Sequence, residues 1–245
     1  MRYLILFILS VFLLHAHADA QKIYLVAAGI SDYPDTENDL NLPAKDAATI
    51  KWLYEQNSIV ESVLLTNSQA TRSNILTEIR SLFSKATPQD MVVIYFTGHG
   101  IPGYFCAYDE FLSYSELQKE MAQSQSLNKM IFADACFSGK LRETASQGNS
   151  NSSAAASLNV LLFLSSRENE TSLELPTMKN GLFTAALQRG LRGGADVNRD
   201  RIITAKELFD FVSRSVKKMS KDRQHPVMWG KFDDNMPVMI WPKKK

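Results

Sequence analysis

Met91-Val-Val-Ile-Tyr-Phe-Thr97, running into Gly98-His99-Gly100, is the stretch that decides the fold. An unbroken apolar and β-branched run bounded by Asp90 and Gly98 reads as a strand buried on both faces, which belongs to a parallel sheet covered by helices. Similar runs at 23–29, 62–66, 129–134 and 159–164 read as further strands, and 237–241 as a late one. Between them, 43–57, 71–85, 181–191 and 205–218 carry apolar residues near helical spacing, with Thr71 as an N-cap. Residues 103–109 read as a hairpin. The alternation predicts an α/β domain with a mainly parallel central sheet of about six strands, flanked by helices on both faces.

Of the 245 residues, 45% are hydrophobic and 22% charged, values that argue against collagen-like, disordered and multi-span membrane chains. Lys and Arg number 27 against 26 Asp and Glu, so there is no basic footprint and no nucleic-acid partner is expected. Arg2, the apolar run 3–14 and Ala18-x-Ala20 form a three-part signal peptide over 1–20, expected to be cleaved. The run stops short of the roughly 20 apolar residues of a spanning helix, so no membrane association is expected after cleavage. The exported product, periplasmic or secreted, is expected to be a single domain over 21–245. Its small polar segment 142–157 has no apolar period and reads as a mobile loop at about 142–158.

Two of the four histidines, His15 and His17, leave with the signal segment. In open α/β sheets, chemistry collects beyond the carboxyl ends of the strands. His99 follows one such end and Cys136 the next, an arrangement that can make a base and its nucleophile. The N–H groups of Gly100 and Cys136 are candidates for stabilising an oxyanion. The alternative for Cys136 is a buried structural thiol or a disulfide with Cys106, which otherwise reads as a packing residue; His225 reads as structural. No paired ligand spacing suggests zinc. Asp196, Asn198, Asp200 and Glu207 nearly fit a calcium loop, with Arg201 where the turn usually takes Gly. Thr204-x-x-Glu207 is also a capping box, the favoured reading. No metal and no cofactor are therefore expected, with calcium kept as the alternative for this loop.

Gly98-His99-Gly100 after one strand and Asp134-Ala135-Cys136-Phe137-Ser138-Gly139 after the next resemble the caspase-like cysteine peptidases, peptidase C14. Within them the chain is closest to metacaspases and bacterial caspase-like proteins. Gly29-Ile-Ser-Asp-Tyr33, 42–47, 165–172 and Asn180-Gly-Leu-Phe-Thr184 extend the resemblance over nearly the whole exported chain. The base precedes the nucleophile, whereas papain-like enzymes place cysteine first. Phe137 departs from the His that commonly follows the metacaspase nucleophile. The resemblance implies a Cys136–His99 dyad and a thioester intermediate. It also implies a large part (21–141) and a small part (159–245); family members differ in whether they need self-cleavage, and if this chain self-cleaves the expected bonds follow Lys140 or Arg142. Acidic residues at the positions of Asp46 and Asp134 line the metacaspase pocket for the residue before the scissile bond, with Ser166 as part of its wall. Carboxylates there suit a guanidinium or ammonium, which predicts protein or peptide substrates cleaved after Arg or Lys. A monomer is expected. The alternative is a non-catalytic caspase-like domain that binds peptides or partner proteins.

Overall fold

The computed structural model describes residues 21–56, 59–135, 160–167, 178–230 and 233–241. The signal segment 1–20, Cys136 and the loop at 142–158 lie outside the described residues. Strand β1 (Ile23–Gly29) leads through a 3-10 turn (Thr36–Asn38) into helix α1 (Pro43–Glu55). Strand β2 (Val60–Thr66), helix α2 (Arg72–Phe83) and strand β3 (Met91–Gly98) follow. A small antiparallel sheet of β4 (Gly100–Ile101), β5 (Tyr104–Cys106) and β6 (Phe111–Ser113) comes next. Helix α3 (Tyr114–Gln123) and strand β7 (Asn128–Ala135) lead to β8 (Val160–Leu164) and α4 (Leu182–Arg189). The described elements end with β9 (Ile202–Thr204), α5 (Ala205–Ser220), β10 (Val227–Trp229) and β11 (Pro237–Ile240).

Six strands form one sheet in the order β10-β8-β7-β3-β1-β2, parallel throughout except where β10 runs against β8. This is the mainly parallel sheet that the apolar runs predict. Its sixth strand is β10, however, which the sequence does not announce. The expected late strand exists as β11, but it pairs with β9 in a separate two-stranded sheet.

Each strand sends alternate residues to opposite faces, so one apolar run supplies two cores. Val26, Ile94, Ile131 and Leu162 form a row on the face covered by α2 and α3, whose Ile79, Phe83, Leu117 and Met121 pack against it. Leu25, Val93, Met130 and Leu161 face the other way, toward Ile50 and Leu53 of α1, Leu187 of α4 and Leu208 and Val212 of α5. The chain runs outward from β1 to β2, then returns to lay β3 on the other side of β1. Strand order therefore reverses between β1 and β3, where the loops at the carboxyl ends part and leave a crevice.

Candidate active site

His99 stands at that crevice, immediately beyond β3. Gly98 before it has φ 152°, and a Cβ there would lie 2.8 Å from the Tyr33 hydroxyl. Glycine thus permits both the backbone turn and the approach of Tyr33. The His99 backbone N–H donates to Tyr33 Oη at 2.9 Å, and that hydroxyl donates to the Cys106 carbonyl at 3.2 Å. The two rings lie 5.0 Å apart between centroids. Burial holds the Tyr33 hydroxyl well above the usual phenol range, against the opposing pull of the His99 amide, so it stays a neutral donor. His99 Nε2 lies 2.7 Å from the Asn38 carbonyl oxygen. A carbonyl can only accept, so Nε2 carries the proton and the neutral ring's Nδ1 is the nitrogen left able to take one.

The loop after β1 that delivers Tyr33 and Asn38 is tied down at both ends. Asn67 Oδ1 accepts the N–H groups of Ser31 and Asp32, and Ser31 Oγ accepts from Ala44 in the first turn of α1. Pro43 opens α1 at a position where a missing N–H costs nothing. Asp46 follows on the first turn, 2% exposed.

Asp46 and Asp134 meet at one place. Asp46 Oδ2 accepts the Gly181 N–H at 3.0 Å, and its Oδ1 accepts from Asn180 Nδ2 at 2.5 Å. Asp134, 7% exposed near the end of β7, accepts from Thr184 Oγ1 at 2.8 Å. Thr184 in turn lies 2.5 Å from Tyr95 Oη, so a chain of hydroxyls runs from β3 through α4 to the carboxylate. A Cβ at Gly181 would sit 3.1 Å from Asp46 Oδ2 and 3.2 Å from Asp134 Oδ2. The Tyr95 hydroxyl is held far above its ordinary pKa, first by burial and then by the negative charges of Asp46 and Asp134. Two elements distant in sequence, α1 and β7, thus bring their carboxylates to the N-terminus of α4.

Ser166 is fully buried just beyond β8. Ser165 beside it ties β8 to the end of β7: its N–H donates to Ala133 O at 2.9 Å and its Oγ to Ala135 O at 3.3 Å. The buried Gln224 side chain donates to Ser165 O at 2.8 Å and braces this join from the turn that follows α5. Gly100 is buried in β4 opposite Phe105. Cys136 follows Ala135 in the chain and lies outside the described residues. Sequence reasoning singled out His99, Gly100, Asp46, Asp134 and Ser166. It passed over Tyr33, the Asn38 carbonyl, Thr184 and Ser165 as functional groups, although Tyr33, Ser165 and Thr184 fall inside the stretches that carry the resemblance.

In the 196–207 loop, Thr204 and Glu207 make both bonds of the capping box for α5. Arg201 adopts φ 72°, the left-handed conformation that glycine takes more easily. Asp196 Oδ2 accepts the Arg201 N–H at 3.0 Å, while its buried Oδ1 has no hydrogen-bond partner. Among the described residues, no group of three or more His, Cys, Asp or Glu side chains is arranged to hold a metal ion.

The doubly covered sheet, with a histidine at one strand end and a cysteine next in chain after its neighbour, defines the caspase class of domain. The caspase-domain model of peptidase C14 matches residues 24–236, and the chain belongs to that family. Among solved structures it is similar to protein GSU0716 from Geobacter sulfurreducens, with 17% identity and a TM-score of 0.67, over 90% of this chain and 100% of that one. Caspase-1 from Spodoptera frugiperda matches at 14% identity and a TM-score of 0.68, over 92% of both chains. At these identities the likeness is one of fold. Comparison with curated protein sequences gave no match.

Proposed function

We propose that the chain is an exported cysteine endopeptidase that cleaves after Arg or Lys. The observation that carries the reading is strand register. Gly98 pairs with Ala135, so His99 and Cys136 each come one residue beyond adjacent parallel strand ends. The Asn38 contact supports His99 as the base, because it commits Nε2 and leaves Nδ1 for the thiol.

In this reading Nδ1 takes the Cys136 proton, and the thiolate attacks the carbonyl carbon of the basic residue. The N–H groups of Gly100 and Cys136 would donate to the developing oxyanion. Collapse breaks the C–N bond, and the imidazolium gives its proton to the leaving amine. The thioester is then hydrolysed: His99 takes a proton from water, hydroxide adds to the acyl carbon, and the thiol is restored as the acid departs. Asp46 and Asp134 would receive the basic side chain, since both direct negative charge at the same spot beside Gly181. The chain keeps both His99 and Cys136, which weighs against the binding-only reading.

A fluorogenic peptide panel with Arg, Lys or Asp before the scissile bond tests this, with Cys136→Ala as the inactive control. Cleavage after Arg and Lys is expected, and cleavage after Asp alone would overturn the pocket assignment. No cleavage by intact or processed protein would favour the binding domain. Parallel assays with calcium and with chelator decide whether the 196–207 loop matters, with equal rates expected. Asp134→Asn should lower kcat/KM on Arg peptides about 10- to 100-fold, the loss of one charge-assisted hydrogen bond. Self-cleavage after Lys140 or Arg142 would appear by mass spectrometry as fragments absent from Cys136→Ala. N-terminal sequencing of the exported protein should begin at Gln21.

A further inference from the structure

We propose that the crevice beyond His99 binds the leaving-group side of the substrate and selects a basic residue among the first three after the scissile bond. The inference rests on the peptidase reading and adds a second point of selection to it. The crevice has a volume of about 860 Å³ and reaches from His99 between the loop after β1 and the β4–β6 sheet. Such a volume is ample for peptide side chains.

Its position relative to the two carboxylates sets its role. Asp46 and Thr184, the partner of Asp134, belong to α1 and α4, on one face of the main sheet. The β4–β6 sheet packs Phe105 and Leu112 into the core on the opposite face, with α2 and α3. His99 lies between, at the rim. A peptide whose basic side chain reaches Asp46 and Asp134 must present its scissile bond to His99. Its continuation past His99 then enters this crevice.

The walls have a definite chemistry. Asp35, Asp109 and Glu110 line the crevice together with Tyr33, Tyr108 and Phe111, and no Lys or Arg is among the described lining residues. Asp35 makes no side-chain capping bond to its own 3-10 turn. Asp109 spends Oδ1 on the Arg72 N–H at 2.8 Å, which leaves its second oxygen. Arg72 also approaches Glu110, but only at 3.7 Å, because its guanidinium is bonded to Glu116; the Glu110 side chain stays 66% exposed. Phe111 is 57% exposed at the mouth. Carboxylates beside aromatic faces suit a guanidinium or ammonium, through ion pairing and cation–π contact.

Internally quenched peptides test this, with Arg held before the bond and Lys, Ala or Glu at each of the three following positions. At one or more positions kcat/KM should rank Lys above Ala above Glu, with about three- to tenfold between the extremes, the range expected of exposed ion pairs. The Lys/Glu ratio should shrink in Asp35→Asn and invert in Glu110→Lys; each variant serves as its own reference, since only the ratio is read. Cleavage with equal rates for Lys and Glu at all three positions would overturn the inference and leave the peptidase reading standing. An unchanged ratio in both variants would also overturn it. Cleavage of no peptide would remove both readings.

Discussion

Gly181 sits where any side chain would touch both Asp46 and Asp134, the carboxylates of the proposed pocket. Asn180 and Thr184 hold those carboxylates in place, so they can retreat from a new methyl group only by giving up hydrogen bonds. Gly181→Ala should therefore lower kcat/KM on Arg peptides by roughly tenfold or more, a cost on the scale of one lost hydrogen bond. Thermal melting should move only a few degrees. An Ala variant with full activity would show that the two carboxylates do not form one pocket. Tyr33 is the second sensitive point. Tyr33→Phe leaves the His99 N–H without its acceptor, which should cost about 1–3 kcal/mol and lower kcat as the histidine loses its brace. Melting curves and kinetics together check both effects; an unshifted melt would mean that the bond contributes little. Asp46 and Asp134 were legible in the sequence because the resemblance to metacaspases marks their positions as acidic, and paired carboxylates suit a basic side chain. The Asn38 carbonyl was not, because a backbone acceptor leaves no mark on residue identity. Only the path of the chain brings it to His99.

Helices were legible where caps and apolar spacing agreed. Thr71 accepts from the Asn74 N–H at the start of α2, and Thr204 and Glu207 cap α5, as their spacing predicts. Helix α3 went unread even though Ser113-x-x-Glu116 forms the same capping box, because its ten residues bury few apolar side chains. Strand β10 has three residues, too few to show a period. Glu116 also binds Arg72 of α2 and so joins two neighbouring helices on one face of the sheet. That hydrogen bond, with help from Ser113, lowers the Glu116 pKa from 4.5 to about 2. A carboxylate whose folded pKa lies below its unfolded value stabilises the fold above the unfolded pKa. The contribution fades as pH falls through the folded one. Glu116→Gln should therefore be less stable than wild type at pH 7. The difference should shrink between pH 4.5 and 2, as read from denaturant melts at a series of pH values. A difference that stays constant across that window would assign the loss to packing instead of charge.

At the scale of the molecule, the alternation of apolar runs and amphipathic stretches foretold a sheet with two covered faces, but not the order of its strands. That order depends on which long-range pairs form, and β1 could accept either neighbour on either side until α1 and α2 are assigned to opposite faces. One pairing bears on the proposed self-cleavage. Strands β7 and β8 are hydrogen-bonded neighbours from Lys129↔Val160 to Ala133↔Leu164, although residues 136–159 separate them in the chain. Ser165 adds bonds to Ala133 and Ala135, Tyr54 of α1 reaches Val238 of β11, and the core on the α1 face draws residues from both parts. A cut within 136–159 removes a covalent link but none of these contacts. The two pieces should stay together. With an unrelated protease site inserted at 144–156 in the Cys136→Ala background, cleavage should give two bands on a denaturing gel and one peak under native size exclusion. Unfolding then becomes dissociation as well, so the melting temperature of the cut form should rise with protein concentration while that of the intact chain does not. Separation of the pieces at micromolar concentration in native buffer would mean that the chain between β7 and β8 holds the two parts together, and would count against self-cleavage as a route to an active enzyme.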